Sequence, residues 1–478
     1  MEYKTSIIGR KQEQEILQKC YDSNKAEFVA IYGRRRVGKT FLVKEFFAGK
    51  FDFYVSGIYQ IARDKQLGEF SRQIASYAGG KKPHPKNWFE AFDFLKSYLA
   101  SLKKDKIVVF IDELPWFDTP KSDFVRALES FWNMWGSSVK GLKLIVCGSA
   151  TTWMVSKLLG DKGGLHNRVT RRIPLYPFNL CETQQYLRSE GFDWDRQQIL
   201  QCYMALGGTP YYLQMLDKDC SIMQNIDRLF FTMEGELRSE YDFLYRSLFN
   251  DAKLYTRVVE LLASKLKGLT RKEIVSSLKV PDNQSLTKAL DNLCRCDFIR
   301  MYHPYGGKKK GAVYQLSDMY SLFYLRFVGG NHVPNPHAWT LMKDQKRESW
   351  YGYAFEQVCL HHVGQIKRRL GISGIESDVS SWSYVPKNDD EKGGQIDLVI
   401  QRSDRVINLC EMKYSSVPFV IKTSYMEEML QRRELFRSQT KTSYTLSLTM
   451  VSPYGVQGNK YAGEMGPVVT MDDLFAPE

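Results

Sequence analysis

Short apolar runs separated by longer amphipathic stretches set the pattern of the first 180 residues. The runs EFVAIYG (27–33), FDFYVSG (51–57), KIVVFIDE (106–113), LKLIVCGS (142–149) and RRIPLYPF (171–178) are continuous rather than alternating. Continuous runs mark strands buried on both faces, and the helix-length spacers predict a parallel α/β sheet covered by helices, over residues 1–180. Residues 181–250 turn helical (TQQYLRSEGF, DRQQILQCYMALGG), which predicts a helical lid. In 251–328 come three helical periods, KLYTRVVELLASK, TRKEIVSSL and SLTKALDNLCRCDFI, and then IRMYHPYGGKKKGAVYQLS, two β-like runs about a Gly-Gly turn. Three helices and a basic hairpin are the pattern of a winged helix-turn-helix. Gly, Pro and Asn cluster in GGNHVPNPHAW, so 329–344 reads as a linker. From 345 to 478 a helix, the strands SWSYVP, GQIDLVIQ and VINLCEMK, a second helix and the strand SYTLSLTMVS predict a small α/β domain.

Composition narrows the class. With 478 residues and 43% hydrophobic side chains, the chain is long enough for roughly three packed domains, and a disordered or fibrous protein is excluded. Its nine cysteines are scattered, with no C-x-x-C pair, which predicts a reduced, cytoplasmic protein. Cys294 and Cys296 lie in a helical pattern without further ligands and read as small apolar fillers. The start has no apolar signal core, and no stretch approaches the ~18 apolar residues of a membrane span. The expectation is no membrane association.

Charge adds a direction. The 67 Lys and Arg against 54 Asp and Glu give +13, and residues 251–340 carry +7 of it, whereas 341–478 are near neutral at −1. An anionic partner is therefore expected in the middle of the chain.

The sharpest chemistry is Gly33-Arg34-Arg35-Arg36-Val37-Gly38-Lys39-Thr40, which matches G-x-x-x-x-G-K-[ST] between a strand and a helix. The glycines let backbone N–H groups wrap phosphates at a helix N-terminus. Lys39 reaches the β- and γ-phosphates, and the Thr40 hydroxyl is placed to ligate Mg²⁺. About 70 residues on, the strand IVVFI ends in Asp112 and Glu113, the first suited to Mg²⁺ and the second to polarising the attacking water. ATP and Mg²⁺ are the expected cofactors. Ser149, closing LKLIVCGS, is a candidate for contact with the γ-phosphate. Arg168, near Arg171 and Arg172, is a candidate arginine finger.

Together IIGRKQEQEIL, YGRRRVGKT, FIDELPW, LIVCGSA, PLYPF and GGTPYYL resemble the prokaryotic AAA-type ATPases of the STAND-related group, the archaeal-type ATPase family, over about residues 1–240. The resemblance implies that Ile8, Gly9 and Arg10 lie beside the adenine. It also implies that the turn Gly207-Gly208 with Pro210 faces the nucleotide from the lid.

In the winged helix, 285–299 is the expected recognition helix. Lys288, Arg295 and Arg300 add charge nearby, and Lys308, Lys309 and Lys310 at the wing tip are placed to meet DNA phosphates. In the C-terminal domain, Asp397 followed by Glu411-Met412-Lys413 at a strand end, with Glu356 on the preceding helix, resembles the PD-(D/E)xK restriction-endonuclease-like fold. That resemblance implies a metal held by Glu356, Asp397 and Glu411, with Glu411 and Lys413 in phosphodiester cleavage. Ile396 stands where that family has proline, and this domain has no basic surplus. Two readings follow: an ATP-hydrolysing switch acting on DNA through a winged helix and a metal-dependent nuclease-like domain, or a regulatory ATP-binding protein whose C-terminal domain binds a partner and cuts nothing. A protein partner or a homo-oligomer fits either.

Overall fold

A computed structural model describes residues 7–160, 165, 167–246, 248–249, 252–306, 311–330, 333–386 and 393–477. It divides into two compact units, Met1–Pro177 with Arg246–Asn250, and Phe178–Tyr245 with Asp251–Glu478.

The first unit is built on β1 (Glu27–Tyr32), β2 (Phe53–Ser56), β3 (Ile107–Asp112), β4 (Leu142–Gly148) and β5 (Arg171–Pro174), a parallel sheet in the order β2-β3-β4-β1-β5. Successive side chains of a strand point to opposite faces, and here both faces are apolar. Phe28 and Ala30 of β1 join Val109, Ile111, Leu144 and Val146 in one core. Val29 and Ile31 join Val108, Phe110, Ile145 and Cys147 in the other, where Leu42, Val43 and Phe46 of the helix Lys39–Phe46 cover them. The helices Arg63–Ala78, Trp88–Ser101 and Phe124–Met134 bury Phe70, Trp88, Phe92 and Phe124 in the first core. The turns that follow β1, β3 and β4 therefore emerge at one edge of the sheet, the edge where ligands bind in open α/β sheets.

The second unit begins with the helices Leu180–Ser189 and Arg196–Leu206. Asn179 and Asp195 cap them by accepting from the backbone N–H of Glu182 and Gln198. Next come the helices Ala252–Ser264, Arg271–Leu278 and Gln284–Arg295, with an antiparallel sheet of β6 (Leu269–Thr270), β8 (Val313–Leu316) and β7 (Ile299–Tyr302), in the order β6-β8-β7. Lys308, Lys309 and Lys310 lie outside the described residues. The segment expected as a linker is fastened at its far end. Trp339 is fully buried, and the Asp227 carboxylate accepts from Trp339 N at 2.7 Å and from Thr340 N at 3.1 Å. Two aromatic rings, Phe323 and Phe327, pack edge-on against the indole, which overrides the Gly-Pro-Asn composition.

The remaining sheet has the order β13-β12-β11-β10-β9, from β9 (Ser377–Tyr384), β10 (Gly394–Arg402), β11 (Val406–Met412), β12 (Thr445–Val451) and β13 (Val468–Val469). β9, β10 and β11 pair antiparallel, while β11, β12 and β13 pair parallel. The register of β10 on β9 shifts between Ile396 and Val399, a bulge that contains Asp397. Bulges re-aim side chains beside functional sites.

Candidate functional site

The phosphate loop follows β1. Gly33 has φ +154°, and a Cβ there would lie 2.1 Å from the Leu175 carbonyl oxygen, so only glycine fits. Gly38 has φ 89° and immediately precedes the helix Lys39–Phe46, leaving that helix's first N–H groups directed at the loop. Within the loop Arg34 and Val37 are buried, Arg35 is exposed and Arg36 is half-buried. Lys39 Nζ donates to the carbonyls of Gly33 at 3.0 Å and Arg34 at 2.7 Å, curled back on the loop it serves. Burial lowers its pKa, opposed by Cys147, Glu113 and Asp112.

The Thr40 hydroxyl donates to the Asp112 carboxylate at 2.9 Å. Asp112 also accepts from Glu113 N at 2.9 Å and from the Cys147 thiol at 2.5 Å. Burial raises the Asp112 pKa, and these bonds oppose the rise. Cys147 is a contact that its apolar strand position does not announce. Glu113 takes a left-handed φ of 44°, and Ser149 donates to its carboxylate from Oγ at 2.5 Å and from N at 3.2 Å. Ser149 is thus the partner of Glu113 in this conformation, and not a free hydroxyl awaiting phosphate.

Arg10 is the strongest link between the N-terminal segment and the loop. Its Nη2 donates to Tyr176 O at 2.6 Å and Val37 O at 3.2 Å. Ile8 and Gly9 precede it, half-buried, with Gly9 O accepting from Gln14 Nε2 at 2.7 Å. Arg168 does not belong to this site. It is exposed just before Thr170, whose N–H donates to Phe28 O at the start of β1, whereas the loop follows Tyr32 at its end. Because β5 runs parallel to β1, Arg168 sits at the opposite edge of the sheet, roughly 15 Å of strand away, and is not an arginine finger for its own loop. Pro210 lies in the second unit, buried after Gly207 and Gly208; a Cβ on Gly208 would meet Phe178 O at 2.1 Å.

In the second unit Lys288 and Arg295 are exposed on the helix Gln284–Arg295, but Arg300 is not a surface cation. It points inward, with Nε and Nη2 buried. Glu356, Asp397, Glu411 and Lys413 all line one cavity of about 1600 Å³. Leu398 is the register partner of Cys410, which sets Asp397 opposite Glu411. The acids feel each other: burial, then Asp397, push Glu356 up to about 8, and burial with the charge of Glu411 raises Asp397. The expected metal cluster is nevertheless not formed. Among the described residues no group of three His, Cys, Asp or Glu side chains is placed to hold a metal ion. Glu411 is already answered by Arg432 at 2.6 Å, Tyr425 Oη at 3.0 Å and Lys413 at 3.1 Å. Arg432, on the helix Thr423–Thr440, stands 21 positions away in sequence and carries no motif that would betray it.

A family model described as an ATPase domain predominantly from Archaea matches residues 8–216. Those residues are an archaeal-type ATPase domain. An uncharacterised ATP-binding protein of Methanocaldococcus jannaschii is 49% identical to this chain over 44 residues, 9% of this chain and 75% of that protein. Another uncharacterised protein of the same archaeon is 24% identical over 416 residues, 86% of this chain and 88% of its own length. A solved structure similar to this chain is a Walker-type ATPase of Pyrococcus abyssi, with a TM-score of 0.50 and 18% identity over 67% of this chain and 96% of that one. The fold is shared at that level. No helix among the described residues is long and apolar enough to cross a membrane.

Proposed function

We propose that the chain is an ATP-hydrolysing switch whose second unit acts on DNA. The observation that carries the ATPase reading is the convergence of Thr40 on Asp112 beside the glycine-shaped loop. In this reading the backbone N–H groups of residues 34–39 bind the phosphates and Lys39 swings from the loop carbonyls to the β- and γ-phosphates. Thr40 and Asp112 would hold Mg²⁺, which would neutralise phosphate charge; their hydrogen bond supports this pairing. Glu113, once released by Ser149, orients the attacking water. Ile8, Gly9 and Arg10 border the base, and Pro210 belongs to the lid. Lys39→Ala should abolish nucleotide binding, while Glu113→Gln should bind nucleotide and hydrolyse at least about a hundred-fold more slowly. Hydrolysis by Lys39→Ala at the wild-type rate would sink the site assignment.

For the second unit we read 251–328 as a winged helix and 345–478 as a PD-(D/E)xK-like domain, with 329–344 between them. Exposed Lys288 and Arg295, with Lys308, Lys309 and Lys310, are its proposed DNA contacts. The pairing of Glu411 with Arg432 favours the second reading for the C-terminal domain, a binding module that does not cut. Because the acids do not fit a metal as they stand, no cleavage step is assigned to Glu411 or Lys413. Supercoiled plasmid incubated with the protein, ATP and Mg²⁺ or Mn²⁺ tests this: intact DNA is expected, and nicking lost in Glu411→Ala would restore the nuclease reading.

A further inference from the structure

The cavity of the second unit has a polar corner that its acids do not satisfy. Arg300 on β7 exposes Nε and Nη2 to no hydrogen-bond partner, although both atoms are buried. Tyr353 Oη and Gln357 Oε1, from the helix Asp344–His361, are likewise buried and unpartnered. Tyr353 and Gln357 are 9% and 1% exposed, and all three residues line the cavity. Burying a guanidinium without an anion is unfavourable, and burial lowers the Arg300 pKa accordingly.

Six acids line the cavity: Glu356 is raised to about 8 by burial and by Asp397, and four of the others have partners elsewhere. Glu411 and Glu428 pair with Arg432. Glu273 closes the capping box of the helix Arg271–Leu278. Asp397 accepts from Gln395 Nε2. The carboxylate acting most strongly on Arg300 is Asp297, and the next influences are the tyrosines 353, 302 and 203.

The walls have a shape of their own. β7 runs on to Pro304, which bridges to Ser381 of β9, and Tyr305 N donates to Ser381 O at 2.7 Å. The cavity is thus enclosed between the inner face of the β7–β8 hairpin and the strands β9 and β10, with Lys267 and the rings of Tyr302 and Tyr384 also on its lining. Cations beside aromatic faces suit an extended strand carrying phosphates and flat bases.

We propose that this cavity is a binding site for a single nucleic-acid strand, with Arg300 as the ligand of a backbone phosphate and Tyr302 and Tyr384 as faces for bases. The inference rests on the reading that the second unit acts on nucleic acid. It moves the decisive contact from the outer surface of the hairpin to its inner face.

The test is fluorescence anisotropy of a labelled oligothymidylate with the full chain in EDTA, so that cleavage plays no part, with a duplex of equal length beside it. Arg300→Met should weaken single-strand binding about ten-fold or more and flatten its salt dependence. Because Arg300 lacks a partner, the same variant should melt no lower than wild type. Arg300→Lys should keep part of the affinity. Unchanged binding in Arg300→Met, or a lowered melting midpoint showing that Arg300 is structural, overturns the proposal. If Lys288→Ala loses duplex binding while Arg300→Met changes nothing, the DNA reading stands and the cavity assignment alone fails; if wild type binds neither probe, both fail.

Discussion

Ser149 holds both oxygens of Glu113, one through its hydroxyl and one through its backbone N–H. Removing the hydroxyl leaves only the weaker of the two contacts, so Ser149→Ala should hydrolyse ATP as fast as wild type or a few-fold faster, with nucleotide affinity within about two-fold. A ten-fold fall in turnover at unchanged affinity would instead make Ser149 a phosphate contact. At this scale the loop residues were legible in the sequence, because a glycine pattern between a strand and a helix specifies backbone geometry directly. The state of each side chain was not. Cys147 donating to Asp112 and Arg432 covering Glu411 are tertiary pairings between residues 35 and 21 positions apart, and no local pattern encodes them.

Among the elements, the parallel strands could be read because both their faces are buried, and the helices Leu180–Ser189 and Arg271–Leu278 carry capping boxes that mark their starts. The two-residue strands β6 and β13 and the bulge in β10 could not, since two residues show no period. Arg168 shows how a correct strand can still mislead: its nearness to β5 in sequence says nothing about which end of the sheet it joins. Packing between helices makes one further prediction. His362, fully buried where the chain passes from the helix Asp344–His361 to Val363–Arg369, accepts from Leu180 N at 3.0 Å through Nε2, and its Nδ1 meets Val358 O at 2.7 Å. Burial drives its pKa down from 6.5 to about 4. Between those values the unfolded chain binds the extra proton and the folded one does not, so stability is full above pH 6.5 and is lost as pH falls towards 4. Urea unfolding should show about 2 kcal/mol less stability at pH 5 than at pH 7, and His362→Gln should remove that slope. A slope of equal size in the variant would place its origin elsewhere.

At the scale of the whole chain, the sequence divided the molecule by composition, whereas the structure divides it by packing. Residues 178–245, whose helices read as an appendage of the ATPase sheet, cluster with everything after residue 251. The helix Met319–Phe327, outside the match to the ATPase family, packs on Arg196–Leu206 within it, and Tyr203 meets the ring of His362 at 5.5 Å. The surplus of positive charge in 251–340 keeps its place in the argument for an anionic partner, but one of its members, Arg300, has moved from surface to interior.

The seam at Pro177 and Phe178 crosses the stretch that the ATPase family shares, residues 8–216. What is inherited as a module is therefore not what can stand alone. A fragment cut at the family boundary would keep Leu180, Leu187, Ile199 and Tyr203, all buried in the full chain, while discarding His362, which contacts Leu180 and Tyr203, and Met319, which packs beside Gly207. Such a fragment should aggregate or stay partly unfolded by circular dichroism and gel filtration. One ending near Pro177 should be the more soluble of the two, although it is the shorter and breaks the family domain.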